Sequence, residues 1–238
     1  MICYLASSPA HLGNTRLDPA NGFVENLKRD LPRDINMVFV ASDPDDYAGM
    51  EGYSGEMRRC FEKAGYRFTG FTVLDGRNAA SARELVAAAD IVFMAGGHVP
   101  TQNRFINAIG LRDILRDFNG MVMGCSAGTM NSADLVYAMP ELDGEAIDPA
   151  FKRTLPGLGL TDINIVPHYQ YLEMCTLDGM NMIHDIALSD SMTRRLYGLP
   201  DGSYLRVEGS DARLYGTVYL MERGTIRQIC TEGASIAP

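Results

Sequence analysis

The segment Gly-Cys-Ser-Ala-Gly at residues 124–128 places a serine in the pattern of a nucleophile elbow. A β-rich run precedes Ser126, and an amphipathic stretch begins at Ala127. A sharp strand-to-helix turn would lift the serine hydroxyl to the edge of a sheet, and flanking glycines let such a turn close because they have no Cβ. The pattern predicts Ser126 as a nucleophile in acyl transfer, with an ordinary tight turn as the alternative.

A serine nucleophile needs a base, and the base needs an acid that orients it. Val-Pro-His-Tyr at residues 166–169 follows a β-rich run, so His168 is the predicted base, with a structural histidine as the alternative. Asp201 in Leu-Pro-Asp-Gly-Ser is the preferred acid, although a solvated Asp-Gly turn would look the same. The other candidate acids are Glu208, Glu173 and Glu141. The order Ser126, His168, Asp201 differs from the serine, acid, histidine order of α/β-hydrolases and argues against an esterase or lipase.

Ala-Gly-Gly-His-Val-Pro-Thr at residues 95–101 also leaves a strand and enters a helix. Paired glycines bring backbone N–H groups close to a ligand, so Gly97 is predicted to form an oxyanion hole with the N–H of Ala127. A plain turn is the alternative. A phosphate-binding loop is not indicated, because neither G-x-G-x-x-G nor a following Lys-Ser/Thr is present.

These residues need a scaffold, and the chain predicts one in which short apolar runs alternate with amphipathic stretches. The predicted strands are residues 2–7, 36–41, 67–74, 90–95, 121–125 and 158–166. The predicted helices are residues 21–31, 54–64, 81–89, 101–117 and 127–135. Short runs after residue 194, at 196–199, 203–207, 213–215, 217–222 and 226–230, predict antiparallel strands that extend the sheet.

Apolar strands separated by helices indicate a mostly parallel α/β sheet covered on both faces. Ligands bind such sheets at the carboxyl ends of the strands. That rule brings Ser7-Ser8, residues 96–101 and Ser126 to one edge. Without an internal repeat or a linker, residues 1–238 are expected to form a single domain.

Composition excludes several classes of protein. The 238 residues include 21 Lys+Arg and 30 Asp+Glu, for a formal net charge of -9, and no basic run suggests a nucleic-acid partner. The five cysteines are spread without a C-x-x-C pair, so reduced thiols are expected and neither a metal site nor a redox dithiol is indicated. The N-terminus lacks the pattern of a signal peptide, and no apolar stretch approaches about 18 residues, so a cytoplasmic protein without a membrane partner is expected.

The motifs resemble, as a set, those of the peptidase E (aspartyl dipeptidase) family, to which cyanophycinase is related. They are Gly-Gly at 96–97, Gly-Cys-Ser-Ala-Gly at 124–128, Gly-Leu-Gly-Leu at 157–160, Pro-His-Tyr at 167–169 and Leu-Pro-Asp-Gly-Ser at 199–203. The resemblance covers about residues 1–220. It implies a three-layer α/β sandwich similar to class I glutamine amidotransferases, and a serine peptidase that acts on short peptides with N-terminal Asp.

By that resemblance, Ser126 is the nucleophile, His168 the base and Asp201 the acid, and no metal or organic cofactor is needed. The residues expected to contact the substrate are Gly96, His98, Arg104 and Tyr169. The expected partner is a small peptide, and a monomer or homodimer is expected.

The chain departs from the family pattern at three places. The acid is Asp where the family shows Glu, and His98-Val99 follows the glycine pair where Asn-Thr is usual. Residues 169–193 contain no Lys or Arg, whereas the family commonly has basic residues there that hold the substrate's β-carboxylate. We therefore expect no strong preference for Asp-initiated peptides, unless Arg104 or Arg194 reaches the site.

Two other functions remain open from the sequence. A glutamine amidotransferase-like amidase would use a cysteine at the elbow, and Cys125 immediately precedes its centre. A catalytically silent small-molecule binding protein could use the same fold.

Overall fold

An eight-stranded sheet forms the centre of the molecule in the computed structural model, which describes residues 1–238 apart from the side chain of Leu12. In spatial order the strands are β18 (Ser235–Ile236), β15 (Asp211–Tyr215), β14 (Tyr204–Glu208), β1 (Ile2–Ala6), β7 (Met121–Cys125), β6 (Ile91–Met94), β4 (Asp34–Val40) and β5 (Arg67–Leu74). The strands β1, β7, β6, β4 and β5 are parallel. The remaining three continue the sheet in antiparallel fashion beyond β1.

The inner strands are apolar throughout because both of their faces are covered. Alternate residues of a strand point to opposite faces, and the core divides accordingly. Leu5 and Val122 belong to one buried cluster, whereas Tyr4 and Met123 belong to another. The prediction of a mostly parallel sheet covered on both sides is confirmed.

The helices supply the two outer layers. They are α1 (Phe23–Asp30), α2 (Tyr47–Lys63), α3 (Ala82–Ala87), α4 (Val99–Ala108), α5 (Leu111–Leu115), α6 (Ala127–Met130), α7 (Tyr169–Leu172) and α8 (Leu188–Asp190), with a π-helix at Met182–Ala187. Leu27 of α1 and Phe61 of α2 join the cluster that contains Tyr4. Val86 of α3 and Leu115 of α5 join the cluster that contains Leu5. Among the described residues, no helix has both the length and the apolar character needed to cross a membrane.

The prediction that all five C-terminal runs extend the main sheet is wrong. Only β14 and β15 do so, joined by β18. A separate four-stranded sheet is formed by β10 (Ile165–Val166), β13 (Leu196–Gly198), β16 (Val218–Glu222) and β17 (Thr225–Cys230). The chain changes sheets at Gly216, whose φ of 89° is a turn conformation that glycine adopts without strain. Both sheets offer apolar strand faces, so hydrophobicity alone does not choose the pairing.

Three predicted elements end differently. The predicted helix at 101–117 breaks at Gly110, which has a φ of 65° and separates α4 from α5. The predicted helix at 127–135 ends at Met130, and Leu135–Tyr137 forms β8, paired with β9 (Thr154–Pro156). The predicted strand at 158–166 keeps regular pairing only at β10, because the N–H groups of Leu158 and Leu160 donate to the carbonyls of Asn131 and Ser132.

The remaining short strands form two hairpins, β2 (Ala10–His11) with β3 (Arg16–Leu17) and β11 (Thr176–Leu177) with β12 (Met180–Asn181). The carboxyl ends of β1, β6 and β7 lie side by side. Ser7, the glycine pair after β6 and Ser126 therefore meet at one edge, as the strand-end rule predicts.

Candidate active site

Ser126 occupies a strained turn between β7 and α6. Its backbone has a φ of 48° and a ψ of -109°, a combination that non-glycine residues rarely adopt. Its N–H donates to the carbonyls of Ala6 and Ser7, at 3.2 and 3.1 Å, which ties the turn to the end of β1. This is the backbone geometry that a nucleophile elbow requires.

The two glycines of the elbow allow α6 to lie against the sheet. A Cβ on Gly124 would come within 2.8 Å of the Thr129 backbone. A Cβ on Gly128 would clash with the backbone of Met94 at the end of β6. Larger residues at either position would push the helix away from the strands and move Ser126 with it.

His168 and Asp201 are paired directly. Nδ1 of His168 lies 2.7 Å from Oδ1 of Asp201, and both side chains are partly buried. Burial acts to raise the pKa of the Asp201 carboxyl, but the hydrogen bonds from His168 and Ser7 outweigh it and hold the pKa below its usual range. Asp201 therefore remains a carboxylate that can orient the imidazole.

Ser7 contacts all three of these residues. Its hydroxyl donates to Oδ1 of Asp201 at 2.7 Å and accepts from the backbone N–H of His168, also at 2.7 Å. Its carbonyl accepts from the N–H of Ser126. The side chain is fully buried, so these contacts are shielded from water. His168 has a left-handed backbone with a φ of 54°, and the bond from its N–H to Ser7 helps to hold that conformation.

Ser126 and His168 line the same cavity, whose volume is about 190 Å³. The other lining residues are Gly97, Met130, Met139, Glu141, Pro167, Leu172 and Met182. Within the described part of the chain, no hydrogen bond joins the Ser126 hydroxyl to the His168 ring. Such contacts are commonly loose before a substrate binds.

Glu141 places a carboxylate in the cavity wall. Glu141 as a whole is solvent-exposed, yet desolvation by the protein around its carboxyl raises the pKa of that group to about 8. The N–H of Val99, at the start of α4, partly offsets that rise. None of the described residues that line the cavity is a lysine or an arginine. The sequence singled out Glu141 only as an alternative triad acid. In the structure Asp201 holds the imidazole of His168, and Glu141 is instead part of the cavity wall.

The glycine pair follows β6 and faces the elbow. Gly97 has a φ of 153°, and a Cβ there would clash with Ser42, so no larger residue fits without displacement. The N–H of Gly96 donates to the Tyr53 hydroxyl at 3.4 Å. Within the described residues, the N–H groups of Gly97 and Ala127 donate to no protein acceptor, so both are available to a ligand.

The other predicted substrate contacts lie outside the cavity lining. His98 contacts Thr101 through Nδ1 and Glu145 through Nε2, at 2.8 and 3.0 Å. Arg104 is exposed and donates to Thr101. Tyr169 is buried, stacks on Tyr219 and donates to Glu173.

The remaining candidate acids are placed elsewhere. Glu173 accepts from Tyr169, and Glu208 pairs across from Ile2 at the opposite edge of the sheet. Of the four acids, only Asp201 contacts the imidazole.

Cys125 does not have the properties of a nucleophile. Its thiol is buried and accepts from the Tyr53 hydroxyl at 3.2 Å. Burial raises the pKa of the thiol to about 11, so the reactive thiolate is scarce at neutral pH. Among the described residues, no group of three His, Cys, Asp or Glu side chains is arranged to hold a metal ion.

Replacing Ser7 with alanine is expected to lower kcat by about 10- to 100-fold with little change in KM. A hydrogen bond to a charged group contributes about 1.5–3 kcal/mol, and Ser7 makes one to Asp201 while it also holds the backbone of His168. Ser8→Ala is the matched control, because the Ser8 hydroxyl donates to the carbonyl of Ala10 and contacts neither Asp201 nor His168 among the residues that the structure describes. Equal losses in the two variants, measured by steady-state kinetics, would contradict a positioning role for Ser7.

Comparisons with known proteins show which family this chain resembles and which solved structure shares its fold. The sequence model of Peptidase family S51 matches residues 4–215. A relative named Peptidase E from Nostoc sp. (strain PCC 7120) is 25% identical over 233 residues, which cover 94% of this chain and 90% of the relative. A crystal structure of a candidate peptidase E protein from Listeria monocytogenes EGD-e superposes with a TM-score of 0.61 at 12% identity, covering 96% of this chain and 98% of that one.

Proposed function

Because the chain belongs to peptidase family S51 and is therefore a serine peptidase, we propose that it releases the N-terminal residue of short peptides through Ser126, His168 and Asp201. One cavity carries this proposal, because Ser126 and His168 both line it. Ser126 has a strained backbone, His168 is paired with Asp201, and the carboxyl of Glu141 lies in the same wall. The family establishes the class of reaction, and the cavity supports the assignment of residues.

The proposed reaction follows from the orientation of the imidazole. Nδ1 of His168 is held by Asp201, which leaves Nε2 as the base. Ser126 Oγ attacks the scissile carbonyl carbon while Nε2 takes the hydroxyl proton. The C–N bond then breaks as Nε2 returns that proton to the leaving amine. A water molecule attacks the resulting ester in the same way, which releases the acyl group and restores Ser126.

The negative charge that develops on the carbonyl oxygen needs donors. We assign this role to the N–H groups of Gly97 and Ala127, which have no protein acceptor and flank the elbow. Ala127 begins α6, and the N-terminus of a helix favours negative charge.

Two features favour release of one N-terminal residue over cleavage within a chain. The cavity of about 190 Å³ is smaller than the roughly 300–1,000 Å³ of pockets that enclose drug-sized ligands, so it suits a single residue. Glu141 lies in its wall with no protein cation among the lining residues, and a substrate α-ammonium would supply the missing partner.

Acetylating the substrate amine is expected to lower kcat/KM by about 100-fold, because the ammonium that pairs with Glu141 is removed. Glu141→Gln is expected to lower kcat/KM for the free peptide by about 10- to 100-fold and to leave the acetylated peptide almost unaffected. Asp143→Asn is the matched control, since it removes one acid from an exposed position in the same loop. Equal hydrolysis of both peptides by the wild-type enzyme would contradict N-terminal recognition.

The preference for the free amine is also expected to depend on pH. Glu141 is neutral below its pKa of about 8 and charged above it, so the ratio of kcat/KM for free over acetylated peptide should rise from pH 6 towards pH 8. It should fall at higher pH, because a peptide amine loses its proton with a pKa of roughly 8. Taking the ratio cancels the contribution of His168, and a flat profile would contradict pairing with Glu141.

The two competing functions make different predictions. A fluorophosphonate is expected to label Ser126, as it labels activated serines. An amidase of the cysteine type would instead be blocked by a thiol reagent, which the high pKa of Cys125 disfavours. A silent binding protein would show neither labelling of Ser126 nor an activity that a thiol reagent could block, whereas the exposed Cys175 would react with the thiol reagent in every case.

A further inference from the structure

The wall of the cavity beside Ser126 is mostly apolar. Three methionines, Met130, Met139 and Met182, line it together with Pro167 and Leu172. The methionines are at least nine-tenths buried, so their side chains are part of the packed wall. Glu141 is the only acid among the lining residues, and no cation is among them.

An acidic first side chain would be unpaired in this cavity. A buried carboxylate is costly unless a cation or several donors meet it. The two arginines that the sequence suggested are engaged elsewhere. Arg104 is exposed beside Thr101. Arg194 donates to the backbone carbonyl of Arg153 and to the Thr154 hydroxyl, and it lies over the ring of Tyr137.

A basic first side chain is disfavoured for a different reason. The cavity has a single carboxylate, Glu141, and the α-ammonium present on every free peptide occupies it. A lysine would bring a second cation into a cavity that offers no second carboxylate, and most of its wall consists of thioethers and aliphatic carbons.

A neutral apolar side chain fits both the wall and the charge. Methionine is unbranched and polarizable, and it repacks around ligands of varied shape. We propose that this cavity selects a methionine- or leucine-sized N-terminal residue, so that the enzyme acts on peptides with an apolar first residue. This inference rests on the proposed function and specifies its substrate class.

The direct test is kcat/KM for the free dipeptides Met-Leu, Leu-Leu, Ala-Leu, Asp-Leu and Lys-Leu. Met-Leu and Leu-Leu are expected to exceed Ala-Leu by at least about 10-fold, because each methylene in an apolar pocket contributes about 10- to 200-fold. They are expected to exceed Asp-Leu and Lys-Leu by about 100-fold or more. An Asp-Leu or Lys-Leu value equal to or above that of Met-Leu would overturn the inference.

A pair of variants tests whether the wall itself selects the residue. Leu172→Arg places a cation in the cavity wall at a partly exposed position. Tyr171→Arg is the control, because it adds the same positive charge at the neighbouring exposed residue, which does not line the cavity. Leu172→Arg is expected to raise the ratio of kcat/KM for Asp-Leu over Met-Leu by at least about 10-fold, and Tyr171→Arg is expected to leave it unchanged. Equal shifts in both variants would contradict selection by the wall. The wild-type series decides the inference if Leu172→Arg does not fold.

Labelling of Ser126 by a fluorophosphonate separates this inference from the proposed function. A labelled enzyme that prefers Asp-Leu would overturn the apolar specificity and leave the serine peptidase mechanism intact. An enzyme that is unlabelled and cleaves none of the peptides would overturn both. A labelled enzyme that prefers Met-Leu and Leu-Leu would support both.

Discussion

Ser126→Ala is expected to lower kcat by about 10⁶-fold, the size of effect seen when a serine nucleophile is removed from a triad. The side chain is the only hydroxyl among the residues that line the cavity. Its loss leaves the N–H groups of Gly97 and Ala127, the proposed oxyanion donors, and the apolar wall in place, so KM should change little. The measurement is steady-state hydrolysis of a free dipeptide, with Tm recorded to show that the fold is intact.

Cys125→Ser is the control for Ser126→Ala, because it removes the thiol next to Ser126 and leaves a hydroxyl that can still bond Tyr53. This variant should retain kcat within about 10-fold. If Ser126→Ala keeps wild-type turnover, or if Cys125→Ser loses activity to the same extent, the assignment of Ser126 is wrong.

Asp201→Asn is expected to lower kcat by about 10⁴-fold, as in triads whose acid is replaced by its amide. The carboxylate accepts from Nδ1 of His168 and from Ser7 through the same oxygen. An asparagine that donates from its amide to Nδ1 would stabilise the other tautomer, which leaves Nε2 protonated and unable to act as the base. The side chains would keep their positions, but Nε2 of His168 could no longer accept the proton of the Ser126 hydroxyl.

The measurement for Asp201→Asn compares kcat with the rate of Ser126 labelling by a fluorophosphonate, since both require an activated serine. The two should fall together. Asp185→Asn, which removes an exposed acid that bonds the N–H of Asn181, is the control and should leave both unchanged. Normal kcat in Asp201→Asn would show that another group orients His168.

Local patterns were sufficient for the inner strands and the elbow. The predicted bounds of the inner strand β7, at 121–125, agree with the structure. A strand buried on both faces is apolar at nearly every position, so its signal does not depend on knowing its neighbours. Gly-x-Ser-x-Gly after such a strand is equally local, because the turn needs small residues on both sides of the serine.

The C-terminal part and the middle of the chain show the limits of local patterns. The strands near residues 196–230 were predicted, but their division between two sheets was not. Alternation of apolar residues indicates that one face of a strand is buried, and it does not indicate which strand pairs with it. The helix predicted beyond Met130 was wrong for a similar reason. The backbone of residues 131–133 bonds the segment at 158–160, a contact that only the folded chain provides.

The sequence by itself determined the class of fold, the family motifs and the residue types of a serine peptidase, because each of these depends on short-range spacing and burial. Only the tertiary structure decided which groups meet. Asp201 reaches His168 across 33 positions, and Ser7 reaches both from the other end of the chain. Glu141 and the three methionines become one cavity wall only because separate loops and helices converge at the edge of the sheet. Such contacts are set by packing over long separations, and residue spacing along the chain does not encode them.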